Sequence, residues 1–172
     1  MSTRGAAAAL LALALAAAAV RAEQADSKRP TEIEANTMKA DDVRRLTIFD
    51  GNVVVTRGTL QVHADRIVVH QDAEGFQHST ATGDPVRFRQ KLDAKPPAQE
   101  GGWMEGEAKR IEMDDKTGRI ELFGDARVNR AGDEVAGDYI LVDQRADFFS
   151  VSPGKGENGR VRATLQPKAP AK

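Results

Sequence analysis

The sequence predicts an all-β fold, and three observations carry that prediction. Apolar and polar residues alternate with a period of two through most of the chain. Turn-forming residues punctuate the alternation at short intervals. A block of strands and turns also recurs once, at a spacing of 73 residues.

In chain order, the first 22 of 172 residues read as an export signal. Arg4 gives a short positive start, Ala6 to Val20 is an unbroken apolar run, and Val20-Arg21-Ala22 offers a cleavage site. The run is shorter than the ~20 residues that span a bilayer. Cleavage rather than anchoring is therefore expected, with the periplasm as destination. Residues 23–30 are polar and read as a flexible mature N terminus. Residues 31–166 read as one β domain, and 167–172 as a disordered tail.

Within the domain, Leu46-Thr47-Ile48, Val53-Val54-Val55, Leu60-Gln61-Val62, Val86-Arg87-Phe88, Ile120-Glu121-Leu122 and Val161-Arg162-Ala163 alternate as strands do. Between them stand Asp50-Gly51-Asn52, Arg57-Gly58, Glu74-Gly75, Gly83-Asp84-Pro85, Thr117-Gly118, Gly132-Asp133 and Pro153-Gly154. The longest break, Lys91 to Gly102, is charged and rich in Pro and Gly, and reads as a solvated loop between the two repeats.

The repeat is the more informative signal. Gly51 to Arg57 matches Gly124 to Arg130, and Val62 to Val69 matches Val135 to Val142, both at 73 residues. Asp41-Asp42 matches Asp114-Asp115 at the same spacing. Between these anchors a slip of one residue is expected, because Leu46, Ile48 and Phe49 resemble Ile120, Leu122 and Phe123 in hydrophobicity. Neither unit can bury a face alone, so two tandem antiparallel repeats should share one apolar interior.

Positions that stay apolar in both copies should point inward. These are Leu46, Ile48, Val53, Val55, Val62, Ile67 and Val69, with Ile120, Leu122, Ala126, Val128, Val135, Ile140 and Val142 as counterparts. Val86, Phe88, Ile111 and Met113 join them by alternation. Val54 answers to Arg127 and Thr47 to Glu121, so those positions should face out. The interior is either a packed core throughout or is partly open to apolar chains; the sequence is compatible with both.

Composition excludes several functions. Formal net charge is −1, without the basic surplus of a nucleic-acid binder, so no nucleic-acid partner is expected. The absence of cysteine removes disulfides, thiol catalysis and cysteine metal sites. His63, His70 and His78 share no metal-ligand spacing, so neither metal nor cofactor is expected. Asp41-Asp42 and Asp114-Asp115 suit turns better than acid–base catalysis, and Asp65 and Asp138 read as opening a strand after a turn. No nucleophile arrangement or phosphate loop occurs. One Trp and one Tyr offer few platforms for sugar rings. No catalytic residue is therefore assigned, and no enzyme is expected.

The segment Leu46 to Gly58 (LTIFDGNVVVTRG), followed by Ala64-Asp65-Arg66-Ile67, resembles the OstA-like, LptA family of periplasmic lipopolysaccharide-transport bridge proteins. Ala81 to Gln90 (ATGDPVRFRQ), Glu105-Gly106-Glu107-Ala108 and Leu122 to Ala126 extend the resemblance, which runs from about Ile33 to Leu165. The resemblance implies an open β-jellyroll holding lipid A acyl chains of lipopolysaccharide in an apolar groove. Its lining would be Leu46, Ile48, Val53, Val55, Val62, Ile67, Val69, Val86, Phe88, Ile120, Leu122, Val128, Val135, Ile140 and Val142. It further implies edge-strand pairing with an inner-membrane anchored component, with an outer-membrane assembly barrel and head-to-tail with further copies. Ile33 and Glu34 would serve at one edge, and Val161, Arg162 and Ala163 at the other. The alternative from a different class is an adaptor jellyroll with a filled core that binds only protein partners.

Overall fold

A computed structural model describes residues 29–75, 77–91, 102–130, 132–143, 145–146, 148–153 and 159–166. The expected signal, most of the flexible N terminus and of the Pro-rich loop, and the tail lie outside the described residues. Those described contain no helix. Their ten strands are β1 (Glu32–Glu34), β2 (Thr37–Asp41), β3 (Leu46–Arg57), β4 (Leu60–Gln71), β5 (Gln77–Lys91), β6 (Trp103–Asp114), β7 (Arg119–Arg130), β8 (Asp133–Asp143), β9 (Phe148–Ser152) and β10 (Arg162–Thr164). All belong to one antiparallel sheet in the order β1-β3-β4-β5-β6-β7-β8-β10, with β2 also on β3 and β9 also on β8. The expected all-β class and tandem antiparallel repeats are what the chain adopts.

The sheet is creased. Register shifts fall between Asp50 and Val53, His63 and Arg66, Thr82 and Val86, Glu107 and Arg110, and Phe123 and Ala126. They line up across neighbouring strands, so that Asp50, Arg66, Thr82, Arg110, Phe123 and Tyr139 form one cross-strand row along the crease. Bulges of this kind bend a strand and increase its twist. Strands β3 to β8 therefore pass through both layers of a folded sheet. β2 and β9 complete the upper layer, and β1 and β10 the lower. Buried side chains from both sides of the crease form a single cluster.

The local chemistry of the crease is legible in β3 and β7. Gly51 and Asn52 sit at φ 82° and 48°, and Gly124 and Asp125 at 77° and 50°. Glycine reaches this left-handed region freely, and Asn and Asp tolerate it better than other residues. Each pair inserts two residues, so inward alternation resumes after it in its original phase: Thr47 and Phe49 lie on the same face as Val53 and Val55.

That phase corrects the expectation for the start of β3. Phe49 pairs with Ile67 and Thr47 with Val69 on the inward face, whereas Ile48 pairs with Val68 and Leu46 with His70 on the outward face. The expected slip does not exist. Thr47 stands where Ile120 stands 73 residues on, and Phe49 where Leu122 stands. The same spacing links the turns. Asp41 Oδ1 accepts the Arg44 N–H at 2.9 Å and Asp114 Oδ1 the Thr117 N–H at 2.9 Å. Left-handed Arg45 then matches left-handed Gly118. Asp65 and Asp138, expected at turns, instead lie inside β4 and β8 at the crease, where the ladder skips them.

Candidate functional site

The interior narrows at the crease and opens away from it. The two rows nearest the crease are Phe49, Ile67, Ala81, Ile111, Leu122 and Ile140 above, and Val53, Ala64, Val86, Ala108 and Ala126 below. Apart from Phe49, all are buried, and Leu122, Ile140 and Val86 are 0% exposed. Small residues cluster here because the layers converge. A Cβ added to Gly137, the partner of Ala126, would come within 2.6 Å of Val151 Cγ1.

One row further out, burial relaxes. Val69, Met113 and Val142 above, and Val55, Val62 and Val135 below, pack against the core but are only half-buried. Phe88, Ile120 and Val128 in these rows remain buried. The result is a wedge-shaped apolar interior, closed at the crease and partly accessible away from it, with Leu60 and Met104 buried again one row further out. Among the described residues no polar or charged side chain is buried. Such a wall can hold hydrocarbon by burying area, at ~0.8 kcal/mol per methylene, without directional contacts that would fix its position.

The outer faces carry the charge. On the lower layer Arg87 pairs with Glu107 at 3.5 Å, Arg89 with Glu105 at 3.7 Å and Arg127 with Glu134 at 3.7 Å. With His63 and Asn129 they border a shallow depression, and Arg89 lies 4.1 Å over the Trp103 ring. On the upper layer Arg66 meets Asp50 at 2.6 Å, and Arg110 lies 4.0 Å over the Phe123 ring and 2.7 Å from Glu112. The Tyr139 hydroxyl donates to the Glu121 carboxylate. Burial, then that bond, pushes Tyr139 up to about 12. Every charged partner in these groups is at least partly solvated, so each pair adds little to stability.

The two ends of the sheet are equivalent to its middle. β1 lies on β3 as β6 lies on β7, with Ile33 opposite Val55 where Gly106 is opposite Val128. β10 lies on β8 as β5 lies on β4, with Ala163 opposite Val135 where Phe88 is opposite Val62. Each end strand has one described neighbour. Met38, Phe148 and Phe149 near these ends are 61%, 52% and 41% exposed.

Val53, Val55, Val62, Ile67, Val69, Val86, Phe88, Ile120, Leu122, Val128, Val135, Ile140 and Val142 all lie on the inward face and converge on one interior. Leu46 and Ile48 do not. Their place belongs to Thr47 and Phe49, the first of which was expected to face out. Ile33 and Ala163 occupy inward positions at opposite edges, Glu34 and Arg162 outward ones, and Val161 precedes β10. The sequence reading missed Ala64, Ala81, Met104 and Ala108. Alanine marks neither face by itself; the period-two offset of Ala64 from Val62 and of Ala108 from Gly106 was the available signal.

A family model described as LptA/(LptD N-terminal domain) LPS transport protein matches residues 32–148. The chain is 30% identical over 147 residues to the lipopolysaccharide export system protein LptA of Escherichia coli K12, covering 83% of this chain and 74% of that one. It is 24% identical over 167 residues to the lipopolysaccharide export system protein LptH of Pseudomonas aeruginosa, covering 94% and 93%. The crystal structure of LptH, titled the LptA homologous periplasmic component of the conserved lipopolysaccharide transport device, superimposes with a TM-score of 0.70 at 22% identity. That match covers 83% of this chain and 99% of the other, and shows a common fold.

Proposed function

The chain belongs to the LptA/(LptD N-terminal domain) LPS transport protein family, and from that premise we propose that it is a non-catalytic periplasmic carrier of lipopolysaccharide. The acyl chains lie in the mouth of the wedge, against Val55, Val62, Phe88, Val128 and Val135 on one wall and Val69, Ile120 and Val142 on the other. Sugars and phosphates stay in solvent. The observation that carries this reading is the half-coverage of Val55, Val62, Val69, Val135 and Val142 on the inward face of an apolar interior that buries no charge among the described residues.

The free edges serve assembly. β1 and β2 accept the inner-membrane anchored component, and β9 and β10 the outer-membrane barrel or a further copy, by strand addition. The internal repeat supplies a register for copy-to-copy pairing. If β1 and β2 of one copy meet β9 and β10 of another as β6 meets β5, Ala163 falls opposite Ile33, Val151 opposite Met38 and Phe149 opposite Ala40.

A second reading, an adaptor with a filled core, draws on the complete burial of Leu122, Ile140 and Val86. Photocrosslinking in living cells separates the two. A crosslinker at Val55 or Val128 should capture lipopolysaccharide, and at the outward repeat-mates Val54 or Arg127 it should not. Equal capture at all four, or none at any, removes the groove.

A further inference from the structure

Away from the crease, three charged residues of the described strands lie on the inward face: Arg57, Arg130 and Asp133. Arg57 ends β3 opposite Leu60, and Arg130 ends β7 opposite Met104 on one side and Asp133 on the other. Leu60 and Met104 are buried, so each arginine rises from an apolar floor at the lip of the wedge. The two are repeat-mates, 73 residues apart.

Their electrostatic setting differs from that of most outward cations, although outward Lys39 and Arg162 likewise have no carboxylate within 4 Å among the described residues. Arg66, Arg87, Arg89, Lys109, Arg110, Arg119 and Arg127 each have a carboxylate within 4 Å. Arg57 and Arg130 have none among the described residues. Asp133, the nearest candidate in register, instead accepts the Gln166 N–H at 2.8 Å through its Oδ1. Two guanidinium groups that face a hydrocarbon-lined space without an ion pair among the described residues are placed for an anion attached to the hydrocarbon. Guanidinium matches phosphate geometry with two parallel hydrogen bonds.

We propose that Arg57 and Arg130 form a lip site, one position per repeat, for the phosphoryl groups of the amphiphile whose chains enter the wedge. The proposal rests on the carrier reading and adds to it the groups that orient the headgroup. β3 and β7 are four strands apart, which sets the two positions ~19 Å from each other along the lip. Under the copy-to-copy register given above, the next copy's Arg57 again lies four strands beyond Arg130. The lip then presents evenly spaced cations through an assembled row. Evenly spaced, solvent-accessible anchors allow a headgroup to pass from one to the next, where a single tight site would hold it.

The test is binding of purified lipopolysaccharide, chemically dephosphorylated lipopolysaccharide and inorganic phosphate to the full chain. It compares the wild type, the Arg57→Gln/Arg130→Gln double variant and an outer-face control, Arg87→Gln. The double variant should lose about tenfold or more in affinity for lipopolysaccharide, at least the scale of one charge-assisted hydrogen bond. It should lose less than twofold for the dephosphorylated ligand, and the control should match the wild type. Equal lipopolysaccharide binding by wild type and double variant overturns the lip site and leaves the carrier reading standing. A loss of the same size for both lipids, or inorganic phosphate binding as tightly as lipopolysaccharide, also overturns it. Failure of the wild type to bind lipopolysaccharide at all removes the carrier reading, and the lip site with it.

Discussion

Phe88 occupies the space that Gly106 leaves open. The two are cross-strand partners on β5 and β6, and a Cβ at Gly106 would overlap the Phe88 ring. The ring fills the lower layer at the junction of the two repeats, and Gly106 stands where β1 carries Ile33. Gly106→Ala should therefore destabilise the fold by ~1–3 kcal/mol, the usual range for overpacking a close-packed interior. Phe88→Leu in the same chain should recover part of that loss. Urea denaturation of the single and double variants checks both statements, and additive losses would contradict the contact.

The burial gradient predicts opposite outcomes for one substitution at two depths. Ile140 is 0% exposed beside the crease. Ile140→Asp leaves a carboxylate without a partner there and should cost at least ~3 kcal/mol. Val55 is half-buried at the mouth, so Val55→Asp should remain folded with lost uptake of lipopolysaccharide. Circular dichroism under urea, together with ligand binding, separates the two. Equal destabilisation would mean that the mouth is packed like the crease.

The junction register predicts a disulfide. Paired strand residues stand ~4.5–5.5 Å apart at Cα, within reach of a bridge. The chain has no cysteine of its own. Mixed under mild oxidation, Ile33→Cys and Ala163→Cys proteins should give a crosslinked dimer, whereas Glu34→Cys with Ala163→Cys should not, because Glu34 faces the other side. A non-reducing gel reads the result. Efficient crosslinking of the shifted pair and not of the first would refute this register.

Tyr139 is the chain's single tyrosine, so its ionisation can be followed by ultraviolet absorbance without overlap. Its phenol should titrate near about 12 in the folded protein and near about 10 in denaturant. The folded form holds its proton longer. Stability from this source is thus complete below about 10, falls as the unfolded chain ionises, and levels off above the folded value. Tyr139→Phe should abolish that fall, and Glu121→Gln should lower the folded midpoint.

How much of this was legible in the sequence varied with the element. In β4, Val62, Ile67 and Val69 could be phased correctly because the odd step at Asp65 shows as a break in alternation. In β3, the run Leu46-Thr47-Ile48-Phe49 contains an apolar residue on each face, and hydrophobicity alone chose the wrong one. The outward face there is apolar too, since Ile48 meets Val68. Holding the 73-residue spacing rigid would have settled it, because Thr47 then falls on Ile120. The alanines at the crease were hidden because their smallness reflects the approach of the opposite layer, a tertiary fact. Arg57 and Arg130 were hidden because charge in an alternating strand reads as solvent-facing.

The alignment of the bulges has a mechanical consequence. Hydrogen bonds between strands run from strand to strand, parallel to the crease. Changing the angle between the two layers therefore loads the backbone torsions at Gly51-Asn52, Gly124-Asp125 and their neighbours, and leaves every ladder intact. The left-handed pairs of β3 and β7 mark the crease as the line along which the two layers would flex, with compliance in one direction and stiffness in the others. On the proposed carrier reading, cargo of different girth would widen the gap while amides in both layers keep their protection from hydrogen exchange, and an added copy would lengthen the crease without adding a joint.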